Sequence, residues 1–102
     1  MRIIKAPTIR GYWQSHPGAE TFPANWLKVA KGAAWRNLQE VRRQYPHADA
    51  EAVGSGNTVT VFNVAGNKYR LIVAIHYRIQ TVFIRDFLTH AEYSKQAWKG
   101  RH

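Results

Sequence analysis

The sequence predicts an α+β fold in which helices pack on one face of a twisted antiparallel sheet. Apolar residues recur with helical spacing in the first half of the chain, whereas β-branched and aromatic residues alternate as in strands after residue 47. The three predicted strands follow one another with short turns between them, which indicates an antiparallel meander. The 102 residues are enough for one domain, spanning 1–102, with one modest core.

The N-terminal segment is predicted to form a short strand and then a helix. Residues 2–5 are apolar enough for the strand. Pro7 suits the first turn of the helix, because that position needs no backbone N–H. Pro17 and Gly18 stop this helix, whose apolar residues have the spacing i, i+3 and i+4. These apolar residues are Ile9, Tyr12 and Trp13.

Two further helices are predicted before residue 47. Thr21 caps the longer of them, and Gly32 ends it. Asn37 and Glu40 have the spacing of a capping box, which predicts the start of a shorter helix that Pro46 closes. The residues expected to face the core are Phe22, Trp26, Val29 and Ala30 in the longer helix and Leu38, Val41 and Tyr45 in the shorter one.

Strand patterns dominate the rest of the chain. Residues 47–53 are irregular and leave room for a short edge strand, and a Gly-Ser-Gly loop follows. The three strands of the meander are predicted at residues 58–64, 68–77 and 81–87. In the middle strand one face carries Tyr69, Leu71, Val73 and Ile75, and the other carries Lys68, Arg70 and Ile72. A second capping box, formed by Thr89 and Glu92, predicts a short C-terminal helix that begins near His90.

The most informative global property is the charge. Fifteen Lys and Arg residues against six Asp and Glu give a net charge of +9 and an isoelectric point near 10.4. The cations are spread along the whole chain, which indicates a charged face on a folded domain and a phosphate-rich or acidic partner. A solvated basic surface without such a partner is the alternative. The absence of cysteine and of any apolar run of membrane-spanning length favours a cytoplasmic protein with no membrane partner.

Several enzyme classes are excluded by missing motifs. The sequence has no phosphate-binding loop of the P-loop type, no dinucleotide fingerprint and no His-Glu-x-x-His motif. The acidic residues are scattered singly and the histidines lack metal-ligand spacing, so we expect no metal site and no cofactor. The remaining cations, one well-placed histidine and several tyrosines suit metal-free chemistry on a phosphodiester.

Five residues carry the candidate chemistry. Lys68 and Arg70 are two apart on a predicted strand and therefore share a face, which Arg85 could approach from the neighbouring strand. His90 and Tyr93 are three apart at the start of the C-terminal helix, whose positive end favours a neutral imidazole and an anionic phosphate. The pattern alone also fits two structural interpretations, namely an ordinary polar strand face and a first-turn histidine beside an anchoring tyrosine.

Three stretches of the chain resemble a known toxin family. They include the strings Phe-Asn-x-x-Gly-Asn-Lys-Tyr-Arg-Leu and Thr-His-x-Glu-Tyr, and they span residues 61–75, 82–85 and 89–93. In combination they resemble the HigB family, within the RelE/ParE-like superfamily of toxin–antitoxin systems. The opening Met1-Arg2-Ile3-Ile4 is similar to that family as well, together with Trp13, His16-Pro17 and Trp26. The three matching stretches contain all five candidate residues.

The resemblance implies a compact RelE-like toxin that cuts mRNA without a metal and has a cognate HigA-type antitoxin. We therefore expect the toxin of a type II toxin–antitoxin system, a ribosome-dependent endoribonuclease that cleaves translated mRNA through 2′-OH attack. The expected catalytic residues are His90, Tyr93, Arg70, Lys68 and Arg85, and the expected RNA-binding residues are Lys68, Arg70, Arg85 and Lys95. Two alternatives stay open: a non-catalytic module that binds RNA or DNA, and a gyrase-directed toxin of the ParE branch.

Overall fold

Helical spacing before residue 47 and strand alternation after it give the two halves of the chain different structures. The computed structural model describes residues 1–5, 21–64 and 68–101. Within them the elements are β1 (Arg2–Lys5), α1 (Thr21–Gly32), α2 (Leu38–Gln44), β2 (Asp49–Ala52), β3 (Thr58–Val64), β4 (Tyr69–His76), a 3₁₀ turn (Tyr77–Ile79), β5 (Thr81–Thr89), α3 (His90–Ser94) and a 3₁₀ segment (Ala97–Arg101). The predicted α+β class is confirmed. The helix predicted between Pro7 and Pro17 lies outside the described residues.

The strands among the described residues form one sheet in the order β1-β5-β4-β3-β2. Strands β2 to β5 pair antiparallel in succession, so the predicted meander is confirmed, and the short edge strand is β2. The prediction of a purely antiparallel sheet is wrong, because β1 pairs parallel to β5 at the other edge. In this position Ile3 lies opposite Val82 and extends an apolar face of the sheet.

Helices α1 and α2 cover one face of the sheet, here named the helical face. Alternation along β3, β4 and β5 directs every second side chain toward these helices. Trp26 of α1 meets Phe62 edge-on, with ring centres 5.4 Å apart. The buried residues of this cluster are Trp26, Ala30, Trp35, Val41, Ala48, Phe62, Leu71, Val73, Val82, Ile84 and Phe87. Burial of each large side chain contributes about 1.5–3 kcal/mol, so this cluster dominates the stability.

Both predicted capping boxes mark the start of a helix. Asn37 Oδ1 accepts a hydrogen bond of 3.0 Å from the Glu40 N–H, which fixes the start of α2. The reciprocal half of that box does not form, since the Glu40 carboxylate accepts bonds of 2.8 and 2.9 Å from Arg36. At α3 both halves form, between Thr89 and Glu92, at 3.0 and 3.2 Å. The C-terminal helix therefore begins where its pattern predicts.

The chain after α3 folds back over the other face of the sheet, here named the C-terminal face. Trp98 packs there in a second buried cluster, whose other members are Val53, Val59, Val61, Ile72 and Leu88. Its Nε1–H donates to the Tyr93 carbonyl at 3.0 Å, and the Gly54 N–H donates to the Lys99 carbonyl at 2.8 Å. Besides the helices predicted to pack on one face, the sheet therefore carries a second core on its other face at this end.

Strand β5 departs from regular pairing near its centre. Ile72 of β4 pairs with Asp86 of β5. The next residue of β4, Val73, pairs with Ile84, which leaves Arg85 as the extra residue of a β-bulge. A bulge bends the strand and redirects the side chain at that position. The direction of the Arg85 side chain therefore depends on this bulge.

Candidate functional site

The start of α3 is fixed against the start of β4. Thr89 pairs with Tyr69, so β5 extends beyond its predicted end at residue 87, and it also caps α3. The backbone N–H of His90 then donates a hydrogen bond of 2.8 Å to the carbonyl oxygen of Lys68. The His90 residue itself is exposed. An accessible imidazole therefore lies at the turn that carries Lys68.

Lys68 lies in the turn before β4 and is not part of the strand. The predicted strand 68–77 is one residue too long at each end, because β4 spans Tyr69–His76. The bond from the His90 N–H to the carbonyl of Lys68 continues the pairing of β4 with β5 one residue beyond Tyr69 and Thr89. The Lys68 side chain is exposed. Lys68 therefore lies just outside β4, beside the start of α3.

Arg70 is largely buried next to α3. It is 9% exposed and lies opposite Leu88 in the sheet. Its guanidinium carbon is 5.4 Å from the centre of the Tyr93 ring, and its Nη1 donates to the Tyr69 carbonyl at 3.0 Å. A desolvated cation–π contact contributes about 2 kcal/mol. The expectation of an open cationic face is therefore wrong for Arg70, whose charge is held at the Tyr93 ring.

Three neighbours orient Tyr93. Its ring stacks on Trp98, with centres 5.3 Å apart and planes 17° apart, and it also contacts Arg70. Its hydroxyl donates to Glu51 Oε1 at 3.4 Å. Burial raises the pKa of Tyr93 above its usual value, and Glu51 raises it further through its charge and hydrogen bond, against an opposing effect of Arg70. The phenol therefore stays protonated at neutral pH and acts as a donor.

Glu51 belongs to this site, although the acidic residues are scattered singly along the sequence. It is half-buried on the edge strand β2, and its second oxygen lies 3.5 Å from Lys99 Nζ. This ammonium offsets part of the carboxylate charge. Glu51 and Tyr93 are 42 residues apart in the chain, so no local pattern could predict their contact. The alternation of Asp49 and Glu51 along one strand is the only sequence signal that bears on it.

Arg85 lies apart from the other candidate residues. It is three residues along β5 from Leu88, the partner of Arg70. Three residues of strand span about 10 Å. The guanidinium carbon of Arg85 lies 5.3 Å from the centre of the Phe83 ring, and Phe83 is still further from Arg70 along β5. The expectation that Arg85 approaches Lys68 and Arg70 across the sheet is therefore wrong.

Lys95, the remaining predicted RNA-binding residue, follows α3 directly. It is the C-cap of this helix, and its backbone N–H donates to the Ala91 carbonyl at 3.3 Å. The residue is exposed. Its ammonium therefore lies at the protein surface.

The side chains around the start of α3 suit an anionic ligand. They comprise the imidazole of His90, the ammonium of Lys68, the guanidinium of Arg70, the protonated phenol of Tyr93 and the carboxylate of Glu51. Lys99 partly offsets the charge of this carboxylate. Among the described residues, no three His, Asp or Glu side chains converge as metal ligands do. In the same part of the chain, no helix is long and apolar enough to cross a bilayer. Such a set of groups can move protons at a phosphate and balance its charge.

Known proteins match most of the chain. A family model described as the HigB toxin, a RelE-like toxic component of a toxin–antitoxin system, matches residues 19–96. The mRNA interferase toxin HigB of Escherichia coli (strain K12) is 26% identical, with 55% of this chain and 80% of that protein covered. The mRNA interferases HigB of Escherichia coli O157:H7 and of Shigella flexneri match with the same identity and coverage. The family match includes every predicted catalytic and RNA-binding position.

Proposed function

Because the chain belongs to the HigB family of RelE-like toxins of toxin–antitoxin systems, we propose that it is an mRNA interferase that cleaves translated mRNA on the ribosome. The observation that carries this proposal is the contact of Tyr93 with both Arg70 and Glu51, beside the exposed His90. A module that only binds RNA needs surface cations. It does not need a buried cation, a protonated phenol and a carboxylate held in contact.

The proposed reaction is a transesterification within the RNA. A base removes the proton of a ribose 2′-OH, and this oxygen attacks the adjacent 3′-phosphorus. The bond from phosphorus to the 5′-oxygen of the next nucleotide breaks, and an acid protonates that oxygen. The products are a 2′,3′-cyclic phosphate, or its opened form, and a 5′-hydroxyl. The reaction uses no metal ion and no cofactor.

Each side chain has a role that follows from its surroundings. His90 is the proposed base, since its imidazole is exposed at the first turn of α3. Tyr93 is the proposed acid, because its raised pKa keeps the hydroxyl protonated. Arg70 stabilises the charge on the phosphorane and orients the Tyr93 ring. Lys68 and Lys95 are exposed cations that bind neighbouring phosphates.

Glu51 is proposed as a positioning residue that acts through Tyr93. Its carboxylate accepts the hydrogen bond of the Tyr93 hydroxyl and so fixes the position of the phenol oxygen. A bare carboxylate next to a phosphodiester would repel it. Lys99, 3.5 Å from Glu51, offsets this repulsion and keeps the site compatible with an anion.

The proposed partners are a cognate HigA-type antitoxin, mRNA and the ribosome. A chain with a net charge of +9 binds phosphate-rich partners unless its basic surface is covered. An acidic or amphipathic segment of the antitoxin would cover this surface or hold α3 away from the substrate. Since translated mRNA is the substrate, the proposed place of action is the cytoplasm.

Mapping of mRNA 5′ ends after induced expression, with and without the neighbouring antitoxin gene, tests this function. We expect new 5′-hydroxyl ends within translated regions, and we expect them to vanish when translation is blocked or the antitoxin is co-expressed. Induction of the His90→Ala chain should give few such ends, whereas Arg43→Ala, which removes an exposed cation of α2, should cut like the wild type. RNA bound but intact would indicate a non-catalytic module. Intact mRNA with DNA damage would indicate a gyrase-directed toxin, and either result overturns the proposal.

A further inference from the structure

A groove lies on the part of the C-terminal face that Trp98 does not cover. Its volume is about 320 Å³, within the range of small ligand sites. Its lining includes Val59, Ala74, Asn57, Thr58, His76 and Arg85. Ala74 and His76 are even numbers of residues from Arg70 on β4, so all three share one face of the sheet. The groove is therefore continuous with the face on which Arg70 and Tyr93 meet.

One wall of the groove carries the aromatic ring of His76 and the positive charge of Arg85. The His76 ring meets the Phe83 ring edge-on at 5.0 Å, and the Arg85 guanidinium carbon lies 5.3 Å from the same ring. His76 and Arg85 are both exposed. The ion pairs among the described residues join Arg36 to Glu40, Arg42 to Asp49 and Lys99 to Glu51. Arg85 takes part in none of these three ion pairs, and its side chain is exposed.

The other side of the groove carries hydrogen-bonding groups. Asn57 and Thr58 are exposed there, between the loop after β2 and the start of β3. The Asn57 carbonyl accepts a bond of 2.9 Å from the Val53 N–H, which fixes its backbone. Side-chain amides of this kind pair with the edges of nucleobases. With the buried side chain of Val59 at its floor, the groove offers an apolar slot, a cationic aromatic wall and a polar rim.

These three properties are the ones by which proteins hold unpaired bases. Single-stranded nucleic acids bind where aromatic or guanidinium planes stack on bases and nearby cations meet the backbone. Arg85 lies about 10 Å along β5 from the level of Arg70, a separation that neighbouring nucleotides can bridge. We propose that the groove formed by His76, Arg85 and Asn57 is a second RNA subsite, which holds the base of an unpaired nucleotide next to the cleaved bond. This inference rests on the proposed function, and it assigns to the groove the sequence preference around the cut.

The test is single-turnover cleavage on programmed ribosomes, with messages that carry one abasic nucleotide at each position flanking the cut in turn. At one position the missing base should slow the wild-type chain by roughly 5- to 100-fold, the range expected for one stacked base. In Arg85→Ala and His76→Ala the same abasic nucleotide should have a much smaller effect, because the stacking partner is already absent. Arg43→Ala, on the helix that covers the opposite face, should keep the full wild-type effect.

The outcomes separate the subsite from the proposed function. If the wild type cuts intact message but is indifferent to every flanking abasic nucleotide, the subsite is refuted and the function stands. An abasic effect that persists undiminished in Arg85→Ala and His76→Ala also refutes it, and a loss of antitoxin binding in these variants would then mark the groove as a protein interface. If the wild type cuts no message on ribosomes, the proposed function fails and the subsite fails with it. Cooperative melting of the variants at the wild-type temperature confirms that they fold.

Discussion

The guanidinium carbon of Arg70 lies 5.4 Å from the centre of the Tyr93 ring, which joins a cation of β4 to a phenol of α3. The Tyr93 hydroxyl in turn contacts Glu51 of β2, so three elements distant in sequence meet at one aromatic ring. Groups that are fixed before the substrate arrives need little reorganisation during the reaction. The contact therefore holds a phenol and a positive charge at one place.

The first prediction concerns the guanidinium of Arg70. Arg70→Ala should lose at least about 100-fold in single-turnover cleavage on ribosomes, because it removes a fixed charge and loosens the Tyr93 ring. Arg70→Lys keeps the charge but not the planar group, and it should recover only part of the rate. The control is binding of the antitoxin, which each variant must retain. Full activity of Arg70→Lys would show that charge alone is required.

The second prediction concerns His90. His90→Ala should cut at least about 100-fold more slowly, the lower end of the contribution of a general base. The melting temperature should hardly change, since His90 is exposed and Thr89 and Glu92 supply the cap of α3. Single-turnover kinetics and thermal melting measure the two effects separately. A folded His90→Ala chain that cuts at nearly the wild-type rate would reduce His90 to a helix-start residue.

The third prediction concerns the exposed cation Lys68. Lys68→Ala should lose less activity than His90→Ala, because neighbouring cations compensate for one exposed charge. Its binding to ribosomes or RNA should depend less steeply on salt, with a slope smaller by about one than in the wild type. Titrations at several salt concentrations measure the slope. An unchanged slope would mean that Lys68 contacts no phosphate.

Local patterns were sufficient to predict most of the elements. Both capping-box spacings mark the start of a helix, because the bonds that fix a helix start join residues three apart. The strand predicted at 58–64 is observed with the same bounds, since alternation of Val59 and Val61 with Phe62 matches burial on both faces. Such signals lie within a few neighbouring residues and need no knowledge of the rest of the fold.

The site could be predicted only in part, because its geometry depends on tertiary contacts. The bulge that separates Arg85 from Arg70 is a property of strand pairing and leaves no mark in the sequence of β5. Burial of Arg70 follows from the chain that returns over the C-terminal face and brings Trp98 against Ile72. Trp98 lies on no periodic stripe, so its place in a core was not predictable from spacing. The place of Glu51 in the site likewise depends on a tertiary contact, its hydrogen bond with Tyr93.

The fourth prediction concerns metal ions. Cleavage by the purified chain should survive chelation by EDTA, provided that ribosome integrity is maintained or controlled for. The proposed proton transfers use His90 and Tyr93, and the phosphorane is stabilised by Arg70, so no step requires a Lewis acid. The measurement is the single-turnover rate on cross-linked ribosomes before and after chelation. Restoration of activity by one specific divalent ion alone would refute this mechanism.

The last prediction concerns the contact between Tyr93 and Glu51 at alkaline pH. Burial and the Glu51 charge hold the pKa of Tyr93 above its usual value, whereas in the unfolded chain it titrates near pH 10. Between these two pKa values the folded state keeps a proton that the unfolded state has lost. Stability should therefore fall as the pH rises above about 10 and through the folded pKa. Tyr93→Phe removes the contribution of Tyr93 to this pH dependence. The half-buried Tyr45 and Tyr77, whose pKa values burial also raises, remain as a common background.

Glu51→Gln separates the two causes. It removes the negative charge but keeps the burial, so the pKa of Tyr93 should decrease and the alkaline loss of stability should shrink without vanishing. Chemical unfolding of the wild type, Glu51→Gln and Tyr93→Phe between about pH 8 and 11 measures the difference. Ala substitution of the exposed Arg43 gives a matched control that should follow the wild type. If the stability of Glu51→Gln depends on pH as that of the wild type does, the carboxylate does not act on the Tyr93 hydroxyl. Glu51 would then not be a positioning residue.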